Sequence, residues 1–258
     1  MKISIVIPAH NEEADIANAI TAALAQGYHD FEVIVVDNAS SDRTPDVASK
    51  FPVKLVREPR KGLLWAREAG RKAASGDIIY NMDADCRPSK DWLERAARYF
   101  NDGNVVAVTG PYDYYDAGGL FRRSSLAMQK HLYGPINSIL QSPLVRNRAI
   151  LIGGNSFIHA GALEKAGGYD TSLVFYGEDT DTAKRISKHG RVVFDRSLSV
   201  KTSARRFKAE GWFNLTTKYW FHFFKHIFTS TRDTAEKKPS EPSDSSESRL
   251  RLMLSHKP

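Results

Sequence analysis

Val33-Ile34-Val35-Val36 is a run of four branched apolar residues closed by Asp37-Asn38-Ala39-Ser40-Ser41-Asp42. A strand with one wet face alternates polar and apolar residues, whereas a strand apolar at every position needs helices over both faces, as in a parallel sheet. The flanking sequence has the same design. Upstream, Ile3 to Ile7 is a strand-length apolar run stopped by Pro8, and Glu12 to Ala25 carries helical spacing, so the three segments make a βαβ unit. Downstream, Asp42-Arg43-Thr44-Pro45 predicts a helix start with Thr44 as cap and Pro45 at the first helical position. A strand at Val53 to Arg57, a third helix after Gly62 and a strand at Asp77 to Met82 follow. The expected fold is α/β: a doubly wound, mostly parallel sheet flanked by helices.

In such sheets ligands bind beyond the carboxyl ends of the strands. That rule nominates Pro8 to Glu13, Asp37 to Asp42, and Asp83 to Asp85. Asp83-Ala84-Asp85 is an Asp-x-Asp motif whose hard oxygens suit Mg²⁺ or Mn²⁺ shared with a diphosphate; a solvated turn with Asp85 or Ser89 starting the next helix is the plainer alternative. Asp37 can accept hydrogen bonds from a base or a ribose hydroxyl, whereas Ser40, Ser41 and Asp42 suit a turn and a helix start. Asn11 is an N-cap candidate, and His10 reads as a local hydrogen-bonding residue rather than a metal ligand.

The second half is less regular. Helices are expected near Trp92 to Phe100, Leu120 to Tyr133 and Glu178 to His189, with a turn at Gly153-Gly154-Asn155 and a strand at Leu198 to Thr202. Residues 231–258 are poor in apolar side chains and are expected to form a disordered tail. With 41% hydrophobic and 26% charged residues in 258, wholesale disorder is excluded. The net charge of +7 favours an anionic partner. Cys86 is the only cysteine, so no intrachain disulfide forms and a reducing, cytoplasmic setting is the default. The amino terminus lacks the pattern of a signal peptide. Trp212 to Phe228 is aromatic-rich but carries Lys218, His222, Lys225 and His226, too polar and too short to span a bilayer. As a helix it would place Phe213, Trp220, Phe224, Ile227 and Phe228 opposite Lys218, His222, Lys225 and Thr229. Such a helix either lies on an anionic membrane surface or packs on the domain or on a second subunit.

Taken in order, Ser4 to Glu12, Val35 to Thr44, Met82 to Asp85, Gly153 to Asn155, Gly167-Gly168-Tyr169-Asp170 and Gly177-Glu178-Asp179 resemble the motifs of family 2 glycosyltransferases over roughly residues 2–206. The resemblance implies the GT-A fold, a nucleotide-diphosphate sugar donor, a divalent metal, and transfer with inversion to an acceptor hydroxyl. Under it, Pro8, Glu12 and Asp37 hold the nucleoside, and Asp83 and Asp85 serve diphosphate and metal, Asp85 being the first choice as direct ligand. Asp179, beside Glu178, is the base; the start of a helix favours its ionised form, while Glu178 and Asp181 oppose it. Arg205 and Arg206 are candidates for a diphosphate clamp. Arg67 matches a recurrent family arginine, although Glu68 stands where the family usually has Asn.

The pattern divides the chain into a catalytic domain at 1–211, an amphipathic aromatic helix at 212–230 and the tail. The glutamine-rich or arginine-plus-tryptophan motif of processive synthases is missing in recognisable form, so single-sugar transfer is expected, to a saccharide or lipid-linked acceptor, with no nucleic-acid partner. Two alternatives stay open. A sugar nucleotidylyltransferase would need a Gly-rich basic loop directly after the first strand, where Pro8-Ala9-His10-Asn11 stands. A non-catalytic basic adaptor would leave the set Asp83, Asp85 and Asp179 without a purpose.

Overall fold

The computed structural model describes residues 1–145, 147–173 and 177–228; the tail expected at 231–258 lies outside them. Seven strands, β1 (Ile3–Ala9), β2 (Phe31–Asp37), β3 (Lys54–Arg57), β4 (Ile78–Met82), β5 (Val105–Thr109), β7 (Asn155–His159) and β8 (Arg191–Phe194), form one sheet in the order β3-β2-β1-β4-β7-β5-β8. Only β7 runs against its neighbours; all other pairings are parallel. A second, two-stranded sheet pairs β6 (Tyr112–Tyr114) with β9 (Val200–Thr202).

The helices are α1 (Ile16–Leu24), α2 (Thr44–Ala48), α3 (Leu63–Ala73), α4 (Trp92–Ala97), α5 (Gly119–Met128), α6 (Gly134–Leu140), α7 (Ala160–Lys165), α8 (Glu178–Ile186), α9 (Arg205–Glu210) and α10 (Trp212–Phe228). A π-helical turn, Gln129–Tyr133, joins α5 to α6. The expected double layering is present. Ile5, Ile7, Val33 and Val35 pack on one face with Ile16, Ile20 and Trp92, while Val6, Ile34 and Val36 pack on the other with Leu64, Ala66 and Ile186. This is why β2 carries no polar residue from Val33 to Val36.

Two local expectations change. Thr44 is not the cap of α2: the Asp42 carboxylate accepts from the Thr44 N–H at 2.9 Å, and the Thr44 hydroxyl accepts from the Glu12 N–H at 2.7 Å. Asn11 is likewise no cap, because its side chain accepts from the Ser41 N–H at 2.8 Å and its φ is +56°. Both exchanges tie the loop after β1 to the loop after β2. His10 does act locally, its Nδ1 lying 2.8 Å from the Asn38 carbonyl.

Helix α10 divides the aromatic stripe expected along it. Leu215 and Ile227 are buried, and Ile227 and Phe223 pack with Ile150 and Tyr133, whereas Phe213, Phe221 and Phe224 are exposed. No described helix is long and apolar enough to cross a membrane.

Candidate active site

The loop after β4 carries Asp83 and Asp85, and each carboxylate is held by a hydroxyl from the small second sheet. Tyr112 donates to Asp83 Oδ2 at 2.7 Å, and Thr202 donates to Asp85 Oδ1 at 2.9 Å. Asp179 stands in the first turn of α8, behind Gly177, whose φ of +95° is a left-handed conformation suited to glycine. Of the three acids in that turn, Asp181 pairs with Arg185 at 2.7 Å, whereas Asp179 turns to Arg67 and to the Gly153 N–H, both at 2.9 Å.

Arg67 on α3 links the two acidic groups. Its side chain is 4% exposed; one terminal nitrogen lies 2.9 Å from Asp179 and the other 3.9 Å from Asp83. Burial disfavours the guanidinium, but Asp179 and Asp83 outweigh it and hold the charge. Glu68 is engaged elsewhere. It takes two hydrogen bonds from Arg71 and one from the Tyr169 N–H, fastening the Gly167-Gly168-Tyr169 turn to α3.

Gly153 and Gly154 are needed for space. A Cβ on Gly153 would overlap the Asp179 carboxylate, and one on Gly154 would overlap that of Asp83. The turn expected here thus opens directly into β7, and Asn155 cross-links the sheet by donating to the carbonyls of Gly110 and Leu198 at 2.9 and 3.0 Å.

From the opposite side Arg205, the first residue of α9, reaches into the acidic group. It makes two hydrogen bonds to Glu12, one of 2.6 Å, and lies 3.6 Å from both Asp85 and Asp15. The start of α9 is fixed by Asp116, which accepts from the Ala204 N–H, the Ser203 hydroxyl and Lys208; despite burial, these partners hold its carboxyl at about 2. Arg206 instead pairs with Glu210 at 2.9 Å, so the two arginines point to different partners.

Pro8, Glu12, Arg67, Asp83, Asp85, Glu178, Asp179, Arg205 and Arg206 all line one cavity of about 970 Å³. Asp37 is not among its lining residues. It is buried at the end of β2, accepts from the Ser40 N–H at 3.3 Å, and Asn38 forms the wall there. Tyr112, Thr202 and Gly153 are the members that inspection of the sequence did not single out as partners. Tyr112 opens β6 three residues past the end of β5, whose carboxyl end lies at the same sheet edge as that of β4.

The oxygen donors suit a hard divalent cation. Burial, then Asp83, push the Asp85 carboxyl up to about 6 against the opposing influence of Arg205 and Thr202, and Glu12 adds to the rise. Such crowded carboxylates call for a cation. Cys86 Sγ lies near the two aspartates, within a group spanning 4.8 Å, but its thiol is fully buried, faces the Gly154 carbonyl at 3.7 Å and is pushed up by burial. A neutral thiol is a poor partner for Mg²⁺ or Mn²⁺.

Comparison with known proteins gives a consistent picture. The sequence profile described as Glycosyl transferase family 2 matches residues 4–167. Glycosyltransferase AglE of Haloferax volcanii is 28% identical over 197 residues, covering 73% of this chain and 62% of that protein. Dolichol-phosphate mannosyltransferase of Pyrococcus furiosus is 36% identical over 120 residues, covering 43% and 34%. The matches thus span less than two thirds of the length of these relatives. Among solved structures, the mannosyltransferase PcManGT from Pyrobaculum calidifontis, in complex with GDP-Man and Mn²⁺, is similar with a TM-score of 0.67 at 24% identity, over 88% of this chain and 64% of that one. Glucosyl-3-phosphoglycerate synthase from Mycobacterium tuberculosis, in complex with Mn²⁺, UDP and phosphoglyceric acid, has a TM-score of 0.58 at 21% identity, over 90% and 80%. At these identities the likeness shows the fold, which is GT-A. By fold, ordered motifs and profile, the chain belongs to glycosyl transferase family 2.

Proposed function

We propose that the enzyme moves a single sugar from a nucleotide-diphosphate sugar to an acceptor hydroxyl on a saccharide or lipid-linked molecule, with inversion at the anomeric carbon and Asp179 as base. The observation that carries this reading is Arg67, which holds Asp179 and Asp83 in one cavity with Asp85. One carboxylate can therefore meet the acceptor while the others meet the diphosphate end of the donor. The two similar solved structures are complexes with GDP-Man or UDP and Mn²⁺, which supports a nucleotide-diphosphate donor and a divalent cation.

Asp179 takes the proton of the acceptor O–H as that oxygen forms its bond to the anomeric carbon. The bond from that carbon to the diphosphate oxygen breaks on the far side, and the nucleoside diphosphate leaves with the electron pair. A single displacement inverts the centre. Arg67 and the Gly153 N–H each occupy one lone pair of Asp179, orienting the carboxylate and leaving lone pairs free for the incoming proton. Asp85, with Asp83, would hold Mg²⁺ or Mn²⁺, which when bound offsets charge growing on the leaving diphosphate. Arg205 would add positive charge there, and Pro8, Glu12 and the wall around Asn38 would border the nucleoside. Asp37 then acts by fixing that loop rather than by touching the donor.

A thermal-shift screen of nucleoside diphosphates and their sugar conjugates, with and without Mn²⁺, identifies the donor. With it, Asp179→Asn should keep donor binding and lose turnover by about 10²–10⁴-fold, the usual share of a general base. Unchanged turnover would remove Asp179 from the mechanism.

A further inference from the structure

The cavity does not end at the carboxylates. Part of the same cavity forms a mainly apolar compartment lined by Met128 of α5, Tyr133 of the π-helical turn, Ile136 of α6, Ile150 to Ile152, and Trp220 and Phe223 of α10, with Ser125, Thr216 and His222 from the same segments also lining the cavity. The wall is joined to the site through the backbone, because Ile150-Leu151-Ile152 leads straight into Gly153, whose N–H holds Asp179. A π-helical turn is costly and recurs where function demands it. Here it brings Tyr133 to the compartment while Gln129 exchanges hydrogen bonds of 2.9 and 3.1 Å with the backbone of Tyr112. Gln129 is thus occupied within the wall. A saccharide placed here would desolvate hydroxyls against aliphatic and aromatic side chains, at a cost for each hydroxyl left unpaired; an apolar tail would gain about four-fold in affinity per buried methylene.

The outer surface of the same segments agrees. Among the described residues, every large apolar side chain that is exposed, apart from Met1, lies between residues 120 and 144 or on α10, with Leu120, Leu144 and Phe213 more than four-fifths exposed at 87%, 95% and 86%. These segments expose large apolar side chains beside cations such as Arg123 and Lys225, as suits a protein that collects its substrate from a lipid phase.

We propose that this compartment receives the apolar tail of a lipid-borne acceptor, whose hydroxyl-bearing head is then presented to Asp179. The direction of the head rests on the role given to Asp179 above; the tail site rests on the compartment alone.

The test is calorimetric titration of the whole protein with methyl, butyl and octyl glucosides below their micelle concentrations, run beside titrations of nucleoside diphosphates with Mn²⁺. Octyl glucoside should bind at least about 100-fold more tightly than methyl glucoside, since half of seven methylenes at about four-fold each gives that ratio. Met128→Gln, and Ile136→Gln as a second variant should the first fail to fold, should cut the ratio several-fold. Phe213→Ser, on the exposed face of α10, should leave it unchanged. A ratio near one in the native protein, or a ratio sensitive to Phe213→Ser but not to the compartment variants, would overturn the tail site. A tail-length dependence without Mn²⁺-dependent nucleotide binding would uphold the tail site and reject the donor site instead.

Discussion

Replacing Arg67 by methionine removes the cation that joins the two acidic groups while keeping most of the apolar stem. Deleting one partner of a buried ion pair costs about 3–5 kcal/mol when the other stays buried and unpaired. Here Asp179 and Asp83 keep 32% and 36% of their side-chain surface open, so water rehydrates both and the expected loss falls to about 1–3 kcal/mol. The assay is urea unfolding of the native protein, Arg67→Met, Asp179→Asn and the double variant, at one pH above 7 with unfolding slopes compared. Because Asp179→Asn removes the charge that Arg67 was matching, the double variant should lose less than the two single losses together, by about 1–2 kcal/mol. Additivity to within about 0.5 kcal/mol would refute the argument, since it would mean that the 2.9 Å contact does nothing to hold Asp179.

Two further outcomes follow from the same geometry. Asp85 in metal-free protein has a carboxyl pushed up to about 6 from 3.8, by burial first and Asp83 second. A raised folded-state value on an acid makes the native state the better proton acceptor, so stability falls as pH rises from about 4 to about 6 and stays lower above that. Asp85→Asn should therefore exceed the native protein by about 1–3 kcal/mol in metal-free urea unfolding at pH 7.5, with the difference gone near pH 4; no difference at pH 7.5 would contradict this. Arg205, half-exposed against Glu12 and Asp85, is a counter-charge that a divalent cation must displace or outweigh. In Arg205→Gln, Mn²⁺ alone should bind up to about five-fold more tightly and a nucleoside diphosphate with Mn²⁺ more weakly, both by calorimetry; weaker binding of Mn²⁺ alone would exclude the counter-charge role.

The first half of the fold is legible because each strand is a short apolar run ended by turn chemistry. Val33 to Val36 is buried on both faces, as that pattern requires. The second half shows the strand at Leu198 to Thr202, found as β9, but hides the others. β7 begins with Asn155 and Ser156, which are fully buried but polar, so they read as part of a Gly-Gly-Asn turn. Ser156 donates to the Gly153 carbonyl three residues back, whereas the Asn155 amide donates to Gly110 and Leu198, partners that no local window contains. The site divides in the same way. Asp83 and Asp85 are visible because they follow an apolar strand, whereas Asp179 is marked in the sequence only by the Gly177-Glu178-Asp179 motif of the family resemblance; its partners are Arg67, 112 residues away, and a backbone N–H that carries no side-chain signal. Arg205 and Arg206 look equivalent in sequence; the turn of α9 sends one to Glu12 and the other to Glu210.

The central claim, that Asp85 and Asp179 serve a single donor from one cavity, is met most directly by calorimetric binding of the cognate nucleoside diphosphate with and without Mn²⁺ in the native protein, Asp85→Ala and Asp179→Asn. Mn²⁺-dependent affinity should be present in the native protein, lost in Asp85→Ala and kept in Asp179→Asn. Equal Mn²⁺-dependent affinity in the native protein and Asp85→Ala would contradict it.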